Sequence, residues 1–492
     1  MYIHEGWPYN HPYAARTWTV EDYRGYADGL KRLGYNTLVI WPIVETMPDP
    51  PTPSDQASLE KTARVIDMLH REFGMLAYMT LTPNVIANDR ESTQYTFEQR
   101  PLFSCAEFVD PADPSAVARM IRRRKELLRS LAKMDGIAII DSDPGGYPGS
   151  TNQQFVHLLG EHRKMLDRLR SGIELYYWMH VGWEAYCRYY ATGQFGWGTP
   201  AEARDILTRL AKINPEPWGI TIHTMSVPPN GTDLKLAEQM GLASTALAFN
   251  YGAIEGEPSF PLTNYGGDAA YNAGRATAPH GVVGNAQTHC AQLPNTFAFA
   301  RGSQGLPVEE GDYVEFAEEL VVGRGRQIVE AWKTLAGEES QPMREMAENL
   351  DNLPHARLKP GALKGLLFGD TDRFISDLSI QLRVRASFED FVTASEENWS
   401  IKKSFREFFQ TAETWQKKTG YASLWRWPKL EKALKKLNSP AINTILAETN
   451  NESITTQAQG KTPFERVQNF YRQWDSFTPR LFAAMRTALQ RM

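Results

Sequence analysis

Eight short apolar runs, each stopped by polar residues and the first six each followed by a stretch with helical periodicity, restrict the first 308 residues of this chain to few folds. The runs cover residues 2–5, 36–41, 75–81, 137–140, 173–179, 218–222, 244–249 and 281–286. Between the first two, Thr19 is placed to cap a helix with Asp22 three residues on. Val20, Tyr23, Ala27 and Leu30 then share one helical face, and Gly34 ends it. Further helices are expected over 54–73, from Asp110-Pro-Ala-Asp-Pro-Ser115 to Lys133, over 150–170, near 200–212 and near 231–240. This alternation predicts a (β/α)8 TIM barrel. A doubly wound open sheet competes, but no Gly-x-Gly-x-x-Gly follows the first strand and no Walker motif occurs.

After about Glu310 the pattern becomes helical: Tyr313–Leu335, Met343–Leu350, Phe374–Val392, Ile401–Lys418, Trp427–Leu437 and Phe464–Arg491, with Pro428, Pro440 and Pro463 as punctuation. The expected organisation is a barrel over 1–308 and an α-helical C-terminal domain over 309–492, packed on the barrel or forming a homodimer. The net charge of −5 argues against a nucleic-acid partner. Cys105, Cys187 and Cys290 are too far apart for a disulfide framework or a zinc site. No apolar run is long enough to cross a membrane. Tyr2-Ile-His-Glu5 already reads as strand rather than leader, so a cytoplasmic location is expected. The 13 Trp and 20 Tyr suit a flat polar ligand such as a sugar, and equally a large core.

The stretch Asp135-Gly-Ile-Ala-Ile-Ile-Asp-Ser-Asp-Pro-Gly-Gly-Tyr-Pro-Gly149 is the centre of the functional reading. Its buried strand stops at Asp141 and Asp143, beside a turn that lets backbone approach a ligand. Two carboxylates at such a place are costly unless a helix cap, a loop or a reaction needs them. Polar or aromatic residues also stand at the other strand ends: His4, Glu5, Trp41, Thr82, Asn84, Trp178, His180, His223, Asn250, Tyr251, Gln287 and His289, then Gln292 and Asn295. In a barrel these ends face one mouth. Each alone has an ordinary reading, as core aromatic, loop holder or satisfied histidine, and only their recurrence points to a site. Arg122-Arg-Arg-Lys125 is read as a solvated helix face.

Paired carboxylates suit glycosidic cleavage, where one group protonates the leaving oxygen and the other activates water or attacks the sugar. Asp143 is the expected acid, with Asp141 orienting it or raising its pKa by like-charge repulsion. Glu5 is preferred over Glu45 and Glu255 as the second carboxylate, and His180 is an alternative base. His4, Trp41, Asn84, Trp178, His223, Asn250, Tyr251, Gln287, His289 and Asn295 are the expected substrate contacts. No cofactor is called for.

Two segments resemble a known group of enzymes. Phe108-Val-Asp-Pro-Ala-Asp-Pro followed by a helix and then 135–149, together with Thr19 before Gly34-Tyr35-Asn36, is similar to the middle of the α-glucuronidase and β-hexosaminidase type barrels. That resemblance, which runs from Thr19 to Gly149, implies an acid at the end of the fourth strand and an exo-acting glycoside hydrolase on an acidic or amino sugar. The chain departs from it in having Asp141-Ser142-Asp143 where hexosaminidases have an Asp-Glu pair, and no Glu in the Pro-Gly-Gly turn. A metal-dependent amidohydrolase or sugar isomerase, with His4, His180, His223, His289 and Asp141 as ligands, is the rival enzyme. It lacks the expected His-x-His on the first strand. A carbohydrate-binding protein without catalysis is the third reading.

Overall fold

The computed structural model describes residues 1–3, 5, 10–142, 144–213, 218–223, 234–249, 265, 268–275, 278–286, 291, 293–353, 358–397, 400–420, 428–447 and 460–492. Among them a nine-stranded parallel sheet organises the N-terminal part. Its strands are β1 Tyr2–Ile3, β2 Thr37–Ile40, β3 Leu76–Leu81, β4 Gly136–Ile140, β5 Glu174–Trp178, β6 Trp218–His223, β7 Ala246–Phe249, β8 Gly281–Val283 and β9 Asn285–Ala286. They pair in the order β8-β7-β6-β5-β4-β3-β2-β1-β9. Helices connect successive strands from β1 to β8, as parallel pairing requires. Each expected strand is present to within a residue or two, although β1 and β9 are only two residues long.

β8 and β9 are one residue apart in sequence, yet they pair with opposite ends of the order: Val283 lies against Phe249 and Asn285 against Tyr2. The sheet is strongly curled. The Trp178 ring at the end of β5 lies 4.9 Å from Tyr2 of β1 and 4.8 Å from Phe249 of β7. β5 and β1 are four strand spacings apart in the pairing order, about 19 Å if the sheet were flat. Side-chain alternation then sorts the strand residues. Tyr2, Val39, Tyr78, Ala138, Tyr176 and Trp178 fall on the inner face. Tyr177 falls on the outer face, 5.0 Å from Phe155 of the helix Asn152–Leu169.

The connecting helices start where the sequence places stop and start signals. Thr19 and Asp22 form a reciprocal cap on the helix Val20–Arg32. Thr52 with Asp55 does the same for Pro53–Met68, and Thr151 with Gln154 for Asn152–Leu169. The reading of 122–125 as a solvated face needs correction. Arg124 is buried, donates to the Val85 carbonyl at 2.8 Å and lies 2.6 Å from His162 Nε2, so the helix Pro114–Leu128 drives this guanidinium under the β3 exit.

The expected helix 313–335 is also broken. Helices Glu310–Leu320 and Gly325–Ala336 are separated by a two-residue strand, Val321–Val322, and a turn at Gly323 with φ +76°. Gly325 passes so close to the first helix that a Cβ there would lie 2.4 Å from the Val314 carbonyl oxygen. Glu318 accepts the Gly323 and Gly325 N–H groups and closes the corner. Two glycines inside one apolar periodicity thus make a hairpin of helices rather than one rod.

The main hydrophobic core runs unbroken from the strands through these helices to Ala386. A second cluster gathers Val384, Phe388, Phe391, Phe405, Phe408, Trp415, Leu434, Leu481 and Met485 of the later helices, together with Tyr13, Ala14 and Phe103 from the N-terminal half. The helix Thr371–Glu397 belongs to both. Asp377 on that helix joins the halves by accepting from Tyr13 Oη at 2.5 Å and pairing with Arg373 and Lys418.

Candidate active site

The exits of β3, β4 and β5 are tied together by buried polar contacts, and these build the candidate site. Asp141, one residue beyond β4, is fully buried. Its Oδ1 accepts the His180 and Val181 N–H groups at 3.2 and 3.0 Å, and its Oδ2 accepts Tyr177 Oη at 2.7 Å and the Gly182 N–H at 3.0 Å. Four donors occupy the four lone-pair positions of a carboxylate. Burial pushes the Asp141 carboxyl above the usual range, while Tyr177, His180 and the backbone N–H groups pull it down. Three of the donors are the consecutive backbone N–H groups of 180–182, which can do nothing but donate, so the arrangement fits the ionised form. Asp141 therefore fixes the turn by which β5 leaves the sheet. By alternation it sits on the outer face with Tyr177.

The next residue points the other way. Ser142 is buried, and its Oγ lies 2.7 Å from His180 Nδ1. His180 follows Trp178 by two residues and so shares its inner face. A carboxylate on the outer face thus sets the backbone of 180–182, and that backbone presents His180 to Ser142 on the inner face.

The turn after β4 is held on two sides. Asn84 Nδ2 donates to the Gly146 carbonyl at 3.0 Å and to Val109 O at 2.9 Å. The Tyr147 N–H donates to Cys187 Sγ at 3.3 Å, and burial pushes that thiol up to about 12. The Tyr147 ring packs 5.0 Å from Phe464 at the start of the last helix, Pro463–Gln490. Phe464 also touches Phe108 and Tyr190, while Tyr471 shares a 2.8 Å hydroxyl contact with Tyr186. The C-terminal helix therefore buttresses the loop that carries the acidic pair.

The β2 exit joins through Glu45, which is buried on a short helical turn, Val44–Thr46. It accepts the Thr82 N–H at 2.6 Å and the Trp41 indole N–H at 3.2 Å. Trp41 is accordingly a buried strut between β2 and β3. Beneath this junction Arg124 holds the carbonyls of Pro83 and Val85, with burial and Arg124 together forcing the His162 imidazole down to about 3.

Several expected residues stand apart. Glu5 is buried on the outer face of β1, where its carboxylate accepts Tyr23 Oη at 2.6 Å and its carbonyl accepts Arg16 Nε at 2.8 Å. Burial raises the Glu5 carboxyl, opposed by Lys61, Tyr23 and Arg16. Trp178 lies buried between Tyr2 and Phe249, and its Nε1 has no partner among the described residues. It lines a cavity of about 900 Å³ that also includes Met1, Thr37, Leu76 and His280, at the opposite end of the strands from Asp141. Asn295 is half-buried near the start of the helix Leu293–Ser303. Asp143, His4, Asn250, Tyr251, Gln287, His289 and Gln292 lie outside the described residues, as does the side chain of His223. Among the described residues no group of three or more His, Cys, Asp or Glu side chains is placed to hold a metal ion, and no helix is long and apolar enough to cross a membrane.

Sequence reasoning missed Ser142 and Tyr177 as parts of this junction, and weighed Glu45 only as a rival second carboxylate rather than as a brace between β2 and β3. Strand parity carried the signal: Asp141 and Tyr177 are both odd-numbered along paired strands, and Ser142 and His180 both even.

No family model matches the chain, and no curated protein matches it. Several solved structures are similar to it. An O-GlcNAc hydrolase from Thermobaculum terrenum superposes with a TM-score of 0.46 at 10% identity, over 96% of this chain and 93% of that one. The GH20 β-N-acetylhexosaminidase from Streptomyces coelicolor A3(2) gives 0.37 at 11% identity, over 61% and 65%. The GH5_18 structure from Streptomyces cattleya in complex with GlcNAc gives 0.36 at 13% identity, over 68% and 86%. The likeness is to glycoside hydrolase structures and is distant. At TM-scores below 0.5 it fixes neither a substrate nor the role of any residue here.

Proposed function

We propose that this chain is a glycoside hydrolase, exo-acting on an acidic or amino sugar, built on a closed (β/α)8 barrel over about residues 1–308 with the helices of 309–492 packed against it. Closure is supported by one stretch, 281–286, pairing with β7 on one side and β1 on the other, and by Trp178 meeting both Tyr2 and Phe249. In that frame the exits of β2 to β5 share one mouth.

The observation that carries the catalytic reading is the four-donor seat of Asp141. A carboxylate so saturated orients its neighbours and leaves the reacting role to a group further along the loop. Asp143, two residues on, is that group: it protonates the leaving glycosidic oxygen. His180, held by Ser142 and by the backbone that Asp141 fixes, is better placed than Glu5 for the second role, because Glu5 is committed to Tyr23 on the outer face. As general base it takes a proton from the water that attacks the anomeric carbon. In this scheme the C–O bond to the leaving group breaks as Asp143 gives its proton, and the bond to water oxygen forms.

A panel of nitrophenyl N-acetylhexosaminides and hexuronides tests the reading. Release of nitrophenol from at least one of them, unaffected by a chelator, is the expected result. No release from any member overturns it, and release abolished by chelation transfers the site to the metal-dependent alternative.

A further inference from the structure

We propose that the loop 193–199 carries an aromatic subsite for the pyranose unit adjacent to the one that reacts, with Phe195 as its platform and Trp197 as its wall; this rests on the hydrolase reading of the same mouth. Phe195 is 54% exposed, the most exposed large hydrophobic side chain among the described residues. It is not a loose end. Gly193 closes the helix Trp183–Thr192 by donating to Tyr189 O at 2.7 Å. At the far end, the Gly198 N–H donates to Val181 O at 2.8 Å. Gly182, with φ +97°, approaches so closely that a Cβ there would lie 3.3 Å from Gly198 Cα. The loop is therefore pinned to the same turn, 180–182, whose N–H groups hold Asp141.

From His180 outward the rings form a continuous wall. Trp197 stands edge-on to His180 at 6.0 Å, and Phe195 stands edge-on to Trp197 at 5.7 Å and to Tyr189 at 5.9 Å. Trp197 is half-buried and Phe195 open, so the wall runs from the candidate catalytic histidine to solvent. A pyranose matches this surface. Its axial C–H face is apolar and covers a ring, and its rim of hydroxyls reaches water and the exposed Gln194 beside the platform. A flat, mostly apolar peptide or a second copy of the chain would need a contiguous apolar patch. Gln194 and Thr199, both exposed, interrupt one here.

The test uses Asp143→Asn protein, titrated with N,N′-diacetylchitobiose and with digalacturonate and followed by calorimetry and tryptophan emission. One of the two disaccharides is expected to bind. Phe195→Ala is expected to raise its Kd about tenfold, while Tyr95→Ala, at an exposed ring elsewhere, changes nothing. Equal behaviour of the two variants, or no binding of either disaccharide, overturns the subsite. So does self-association that Phe195→Ala abolishes. If the nitrophenyl panel shows no hydrolysis but Phe195→Ala still weakens binding, the hydrolase reading fails and the subsite stands as a binding surface. If hydrolysis is found and Phe195→Ala is silent, the subsite alone fails.

Discussion

Asp141→Asn is the most instructive single change, because it keeps the shape of the side chain and alters only what its two terminal atoms can accept. An amide nitrogen placed at the Oδ1 position would face two backbone N–H groups, from His180 and Val181. At the Oδ2 position it would face one N–H, from Gly182, and the Tyr177 hydroxyl, which can turn and accept. The second orientation is therefore favoured, and it leaves the N–H of half-buried Gly182 without its carboxylate acceptor. An orphaned buried donor costs roughly 1–3 kcal/mol. Losing charge assistance on the bonds that remain adds about 1 kcal/mol. Removing a buried charge returns part of this, since burial is the largest influence on the Asp141 carboxyl. The net expectation is a destabilisation of about 2 kcal/mol, with the loss concentrated at the turn after β5. Urea unfolding measures the total, and amide hydrogen exchange at 180–182 locates it. Tyr177→Phe should cost about 1 kcal/mol in the wild-type background and more when combined with Asp141→Asn, where the hydroxyl has become the acceptor for the amide. An Asp141→Asn protein within about 0.5 kcal/mol of wild type, with unchanged exchange at the Gly182 amide, would refute the four-donor seat as the organiser of this turn.

Two further outcomes follow from the same junction. Between its folded value of about 3 and an unfolded value near 6.5, the His162 imidazole binds more protons when unfolded, so stability falls as pH drops through that window. His162→Gln, which keeps an acceptor for Arg124, should make the loss of stability from pH 6.5 to 5 shallower by about 2 kcal/mol, as read from urea midpoints; an unchanged slope contradicts the buried neutral imidazole. Phe464→Ala removes the ring behind Tyr147 and should lower kcat, by up to about a hundredfold, with little change in KM; a change confined to KM would show that the last helix does not position the loop.

Local signals in the sequence survived folding well, and signals that depend on tertiary placement did not. The Thr19–Asp22 cap and the apolar run 137–140 are decided within a few residues, and both appear where the sequence puts them. The two-residue β1 pairs on one side with β2 and on the other with Asn285–Ala286, at the far end of the strand series, so only its position is readable from local sequence. Arg124 looks like its solvated neighbour Arg122, and nothing local reveals that the helix turns it under the β3 exit to hold the carbonyls of Pro83 and Val85, or that Arg123 reaches Met47 O and Asp89. Glu5 and Asp141 were grouped with His180 because all three end strands. Period-two alternation separates them, placing Glu5 with Tyr23 and Asp141 with Tyr177 on the outer face while Ser142 and His180 share the inner one. The break at Gly323 and Gly325 was present as two glycines in an apolar periodicity. Their effect needed the close approach of Val314 to become decisive.

The central claim is that Asp143 gives the proton to the departing sugar oxygen from a loop that Asp141 and Asn84 hold in place. Its most direct test compares Asp143→Asn with wild type on glycosides of one sugar whose leaving groups differ in acidity. The account predicts that the folded variant loses about 10²–10⁴ in turnover on poor leaving groups and far less on dinitrophenol, which departs without protonation. Equal losses across leaving groups, or turnover near wild type, would contradict it.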